Sequence, residues 1–220
     1  MTISTAVDVN ARASVVGIET KFQQTGQAGQ FLPQRIAVIG QGATSVTYST
    51  DKKQITSAFE VGQDYGFGSP LHLAASRLLP FNGDGVGEIP VTIYPLEDAG
   101  TATAAAGDIT PAGAQTVNSG YRVSVNNILS EEFTIAIGDT VGTIVANMTL
   151  AINAVLEMPV IATDSATKVD LVSKWAGESA NDLFIEIIGD ITTGVTFALT
   201  QLTGGATNPD VQVALEQFGS

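Results

Sequence analysis

Cysteine is absent from the 220-residue sequence, and histidine and tryptophan each occur once. Without thiols there is no disulfide, no thiolate metal site and no cysteine nucleophile, a composition that fits a reducing compartment. The lone histidine, His72, rules out a His-pair metal site and leaves one candidate for a Ser-His-Asp triad. Cations are scarce too: nine Lys and Arg stand against 22 Asp and Glu, a net charge of −13. A nucleic-acid surface needs clustered cations to displace counterions from phosphates, and none cluster here. No polybasic segment is present to hold anionic lipid. No apolar run approaches the roughly 18 residues of a membrane-spanning helix. The N-terminus, MTISTAVDVNARAS, lacks a basic block followed by an apolar one and does not read as a secretory signal. Charged residues make up only 14% of the chain. A solitary monomer usually keeps more, so part of the surface is expected to be covered by neighbours.

What is present is 44% hydrophobic residues and 23 glycines, enough for one large domain or two small ones. The first residues are small and polar and read as an extended arm. ASVVGIETKF (Ala13 to Phe22) is β-branched and strand-like, and RIAVIG (Arg35 to Gly40) is a buried-type strand. After Gly40-Gln41-Gly42, SVTYST (Ser45 to Thr50) again predicts a strand, with a turn at Asp51-Lys52-Lys53. Thr56 or Ser57 predicts the cap of a short helix containing Ala58, Phe59 and Val61. Ser69-Pro70 predicts a second helix start, with Leu71, Ala74, Ala75 and Leu78 as its apolar stripe and Pro80 beyond its end. IPVTIYPL (Ile89 to Leu96) is another strand.

Composition shifts at Asp98. An Ala/Gly/Thr-rich stretch without strong period precedes strands at YRVSVNNI and EEFTIAI. A turn at Gly138-Asp139 opens a helix in which Val141, Ile144, Val145, Met148, Ile152 and Val155 share one face. PVIATDS, KVDLVSK, NDLFIEII and TFALTQL predict four further strands. NPDVQVALEQFG predicts a helix capped by Asn208 or Asp210, with Val211, Ala214, Leu215 and Phe218 as its stripe. The expected fold class is α+β: a mixed α/β core, incomplete in this chain, with an inserted β-rich domain containing one helix. The expected boundaries are an arm at 1–22, the first part of the core at 23–97, the insert at 98–207 and a return to the core at 208–220.

RIAVIGQGATSV tests this reading against nucleotide binding. A dinucleotide turn needs a helix immediately after its glycines, because the helix N-terminus presents the amides that hold pyrophosphate. The β-branched TSVTYST follows instead, and no Walker lysine is in place. The glycines then read as a turn between two core strands. His72 is offset from its helix's apolar stripe and reads as a surface residue. Glu131-Glu132 point to opposite faces of a strand and cannot act on one bond. Asp51, Asp64, Asp84, Asp108, Asp139 and Asp164 read as turn or helix-start residues, without calcium-loop spacing. Asn147-Met148-Thr149 matches a glycosylation acceptor only formally, mid-helix. Trp175 reads as a strand-end aromatic over a turn. No catalytic, cofactor-binding or metal-binding set emerges.

Several segments taken in order resemble the contractile tail sheath proteins of phages, especially the phage Mu-like branch. ASVVGIETKF resembles the extended segment near the sheath N-terminus, with Val16-Gly17 where the family often has Pro-Gly. LPQRIAVIGQG resembles the first core strand and its glycine turn, with Gly40 and Gly42. ITSAFEVGQDYGFGSPLHLAASRLL carries the Phe-Gly-x-Gly-Ser type of motif, spelled Tyr65-Gly66-Phe67-Gly68-Ser69. VTIYPLEDAGTATAAAG resembles the exit into an inserted domain, IGDTVGTIVANMTLAINAVLEMPVIAT that domain's helix and strand, and NPDVQVALEQFG the return.

The resemblance implies a non-enzymatic structural subunit that stacks as hexameric rings around a tail tube and contracts to drive the tube through the host envelope. It implies an intersubunit arm at Val15, Val16, Gly17, Ile18 and Glu19 that adds a strand to a neighbour. It gives structural roles to Gly40, Gly42, Phe67, Gly68 and Ser69. The implied partners are other sheath subunits, the tube protein, the baseplate and the tail terminator, with no cofactor, nucleic acid or membrane insertion. The implied location is the virion tail, after assembly in host cytoplasm. The family's C-terminal half is expected to be missing from this chain. The alternatives are a nucleotide-binding α/β protein with an accessory β-module, and a glycan- or receptor-binding module.

Overall fold

The computed structural model describes residues 34–81, 85–87, 89–190, 192 and 194–219. The arm residues Val15, Val16, Gly17, Ile18 and Glu19, and Asp84, lie outside them. The architecture is α+β, with strands outnumbering helices.

Strand β1 (Ile36–Gln41) runs parallel to β3 (Val91–Leu96), and the short β2 (Lys53–Ile55) pairs antiparallel on the other side of β3. Two helices lie between β2 and β3 in sequence. In α1 (Ala58–Tyr65), Ser57 caps by accepting the Glu60 N–H, while the Glu60 carboxylate accepts the Thr56 N–H. The pair resembles a capping box, with the Glu60 carboxylate reaching the N–H one residue before the cap. In α2 (Pro70–Leu78), Ser69 accepts the His72 N–H with Pro70 in the first turn, as the Ser-Pro signal predicts. Val61, Tyr65, Leu71 and Ala75 pack with Ile55, Val91 and Ile93 into one apolar cluster. Gly62 allows the helices to close up, since a Cβ there would strike the Phe67 ring.

The stretch after β3 that shows no period in sequence forms β4 (Ala104–Gly113), a central strand between β9 (Val169–Ala176) and β11 (Val195–Thr203). Pro111 is accommodated because the β9 pairing ends at Ile109, leaving its missing N–H on an unpaired side. β8 (Val160–Asp164) completes the sheet in the order β11-β4-β9-β8. A second sheet has β5 (Ser119–Val125) at its centre, paired with β10 (Ile185–Gly189), β6 (Ile128–Leu129) and β7 (Phe133–Ile135). Asn126 and Asn127, both at positive φ, make the two-residue β5–β6 hairpin. Helix α3 (Val141–Asn153) is capped by Thr140 and buries Ile144, Val145, Met148 and Ile152. Val141 and Val155 pack at the cluster's margin. Both sheets and α3 share one hydrophobic cluster, drawn from residues between Ala105 and Leu202.

From β11 the chain returns to the first sheet as α4 (Gln212–Leu215), followed by a 3₁₀ turn (Glu216–Gly219). Asp210 accepts the Gln212 N–H. Ala214 packs with Tyr94 and Leu96, and Phe218 stacks on Tyr94 at 4.4 Å between centroids. Val211 and Leu215 of the expected stripe are exposed, and Phe218 remains exposed beyond its ring contact with Tyr94.

Other local expectations also fail. Ser45 to Thr50 form no strand. The Tyr48 hydroxyl accepts the Gly42 N–H at 3.0 Å and donates to the Leu96 carbonyl at 2.8 Å, and these bonds curl the segment despite its β-branched composition. The glycines are accordingly not a turn between two core strands: Gly40 lies inside β1 and Gly42 just beyond it. Asp64 sits in α1 and Asp108 in β4, each in an ion pair, with Lys53 and Lys168 respectively. His72 is only 3% exposed. Phe67 folds over the helix edge against its ring, which converts a surface position into a buried one.

Candidate functional site

A dense set of polar contacts lies where the α/β core meets the β-rich cluster. Its first component is the end of β1. Gln41 donates to the Ala176 carbonyl (2.7 Å) and to the Asp98 carboxylate (2.6 Å), and the Thr44 hydroxyl donates to the other Asp98 oxygen (2.6 Å). The Thr44 N–H reaches the Lys174 carbonyl at 2.8 Å. The residues around the glycine pair therefore hold the chain's own carboxylate. The adjoining hollow of about 300 Å³ is lined by Glu97 and Asp98, which repel a phosphate. Gly40 is small because the Leu71 side chain lies 3.2 Å from where its Cβ would be, and Gly42 because the Tyr48 ring occupies that space.

The second component is the loop Gly66-Phe67-Gly68-Ser69 between α1 and α2. Gly66 and Gly68 both adopt positive φ, +91° and +79°. A side chain at Gly68 would be strained and would also overlap the Met158 carbonyl. The Gly68 N–H donates to His72 Nδ1 at 3.1 Å, which requires a neutral imidazole with its proton on Nε2. Burial pushes the His72 pKa down; Glu157 opposes that shift and Lys174 adds to it. Ser69 and Ser76 bond only the backbone of His72, so neither makes a Ser–His pair with the imidazole.

The third component is Lys174. Its ammonium donates to the Phe67 carbonyl (2.9 Å) and the Leu156 carbonyl (3.1 Å). Burial lowers its pKa. In sequence Lys174 is simply the outward residue in an alternating strand, beside inward Ser173 and Trp175. No local signal shows that a distant loop covers that end of β9. Gln41 and Asp98 were hidden for the same reason. Trp175 is buried, and its indole donates to the Ser179 hydroxyl at 3.1 Å, as expected of a strand-end aromatic.

Beside this joint opens a cleft of about 520 Å³ lined by Phe59, Phe67, His72, Phe81, Ile128 and Leu156, among others. Glu132 faces Arg122 at 3.6 Å. Among the described residues no group of three or more His, Asp or Glu is placed to hold a metal ion. No described helix is long and apolar enough to cross a membrane. Of the residues singled out in sequence, Gly40, Gly42, Phe67, Gly68 and Ser69 converge on the sheet end and the loop facing the joint.

No known protein-family profile matches this chain. Over 134 residues, 58% of this chain, it is 25% identical to the Mu-like prophage FluMu tail sheath protein of Haemophilus influenzae. The alignment covers 27% of that protein, so the chain spans about a quarter of this relative's length.

Proposed function

We propose that the chain is part of a structural subunit of a contractile phage tail sheath, without catalytic activity or cofactor. The observation that carries this is the similarity to a tail sheath protein, together with the ordered sheath-like motifs of the sequence. In this reading subunits form hexameric rings stacked around a tail tube in the virion, after assembly in the host cytoplasm. Baseplate and terminator bound the stack, and contraction drives the tube through the host envelope. Residues 98–207 are an inserted module, 23–97 and 208–220 belong to the α/β core, and Val15 to Glu19 are the arm that joins a neighbour's sheet.

Physical features support the assignment. Hydrophobic cores separate into a cluster from Ile55 to Ile93 and another from Ala105 to Leu202, as an insertion would leave them. Among the described residues β1 pairs only with β3, so one edge has alternate N–H and C=O groups open to an incoming strand. Ile36, Val38 and Ile39 on that edge strand are only partly buried. Sheath work is stored in lattice contacts and needs no catalytic group.

Electron microscopy of the full-length protein is the test. Tubes with ring striation are expected, and removal of residues 1–22 should abolish them. A strictly monomeric species at every concentration overturns the assignment.

A further inference from the structure

The loop from Gly66 to Ser69 is gripped from both sides of the joint. On the α/β side His72 accepts the Gly68 N–H and Phe67 packs edge-on against the imidazole, with centroids 5.1 Å apart. On the β-rich side Lys174 holds the Phe67 carbonyl and the Leu156 carbonyl, and Gly68 sits against the Met158 carbonyl. The two large apolar clusters do not merge across this joint. Polar contacts across it form two sets: Gln41 to the Ala176 carbonyl with the Thr44 N–H to the Lys174 carbonyl, and those gathered on this loop.

We propose that this loop is a releasable clamp, one of two polar attachments between the β-rich module and the α/β core, shut while His72 is neutral and opened when His72 takes a proton. The proposal rests on reading residues 98–207 as a separate module. A proton on Nδ1 turns the acceptor of the Gly68 N–H into a donor, so two N–H groups confront each other and the bond is lost. The buried amide is then left unpaired, and the imidazolium lies near the Lys174 ammonium. Lys174 holds the same loop through Phe67, so a loop that swings from His72 also leaves Lys174. Charged groups around the imidazole are Glu157, which favours the proton, Lys174, which disfavours it, and Arg77 on the cleft wall. On α1, Glu60 and Asp64 are engaged by Lys53.

The cysteine-free chain allows two spin labels to be placed without background, at Gln54→Cys on β2 and Thr196→Cys on β11, both exposed. Their distance distribution would be measured from about pH 7.5 to about pH 4.5, with the imidazole followed by NMR on the same samples. A narrow distribution at the upper end should broaden or shift in step with His72 protonation. His72→Asn, which keeps an acceptor near the Nδ1 position and does not titrate, should stay narrow throughout. Lys174→Met, which keeps the apolar stem, should be broad at every pH. A distribution that does not respond once His72 is protonated overturns the clamp, as does a His72 that stays neutral until the whole chain unfolds. Amide exchange in the two hydrophobic clusters at neutral pH tests the modular reading separately. Identical opening free energies in both would refute the modules, whereas a missing distance response with distinct stabilities would refute the clamp alone.

Discussion

Gly68 shows how much one residue can carry at this joint. Its φ of +79° and its position against the Met158 carbonyl leave no room for a Cβ. Gly68→Ala should therefore destabilise the chain by about 1–3 kcal/mol, read as a lower urea midpoint with unchanged slope. Gly87→Ala is the control: it also has positive φ, but its Cβ would meet open space, so its loss should be smaller. His72 makes the pH prediction. Burial holds its folded pKa below the ordinary 6.5. The unfolded chain binds this proton first as pH falls, so the stability due to neutral His72 is complete above about 6.5. It then declines as pH drops from 6.5 toward the folded value. Urea unfolding across that window should show a wild-type decline that His72→Asn lacks. Sequence alone made His72 a surface residue, because its angular offset on α2 was visible while the Phe67 ring that covers it was not.

Among elements, those specified by local chemistry were the readable ones. Helix α2 follows from Ser69-Pro70 and a helical stripe, and α3 from its apolar face. The strands at 160–164, 169–176, 185–189 and 195–203 follow from β-branched runs between turns. Three segments were not legible, the short β2 among them. Ser45 to Thr50 has strand composition but is bent by the Tyr48 hydroxyl bonds. β4 has weak strand composition, Ala, Gly and Pro included, yet becomes central because β9 and β11 supply its hydrogen bonds. The β5–β6 hairpin turns on Asn126-Asn127, with φ of 51° and 66°. Asn127→Gly should stabilise it by a few tenths of a kcal/mol up to about 1 kcal/mol, since glycine adopts that angle without strain. Thermal unfolding should show a raised midpoint, and a lowered one would contradict the turn geometry.

For the whole molecule, the net charge of −13 bears on the proposed self-association. Copies of one acidic chain repel each other, and backbone pairing along a strand edge needs no ion pairs. In the proposed assembly, salt should therefore strengthen the association of copies of this chain. Between about 20 mM and about 0.5 M salt, sedimentation should show a shift toward larger species as screening shortens the repulsion. Dissociation at high salt would mean that ion pairs, not strand addition, hold the copies together.

The sequence by itself determined the fold class, the Ser69 cap of α2, the apolar face of α3, most of the β-rich cluster and the absence of thiol chemistry. These depend on short-range periodicity, side-chain acceptors within a helical turn and composition. It also singled out Gly40, Gly42, Phe67, Gly68 and Ser69, but as motif letters without partners. Only the tertiary structure decided that the β1 glycines accommodate Leu71 and Tyr48, that Asp98 occupies Gln41 and Thr44, and that His72 and Lys174 grip one loop from opposite sides. The physical reason is sequence separation: Lys174 and Phe67 stand 107 residues apart, and no local pattern records which end of a strand a distant loop will cover.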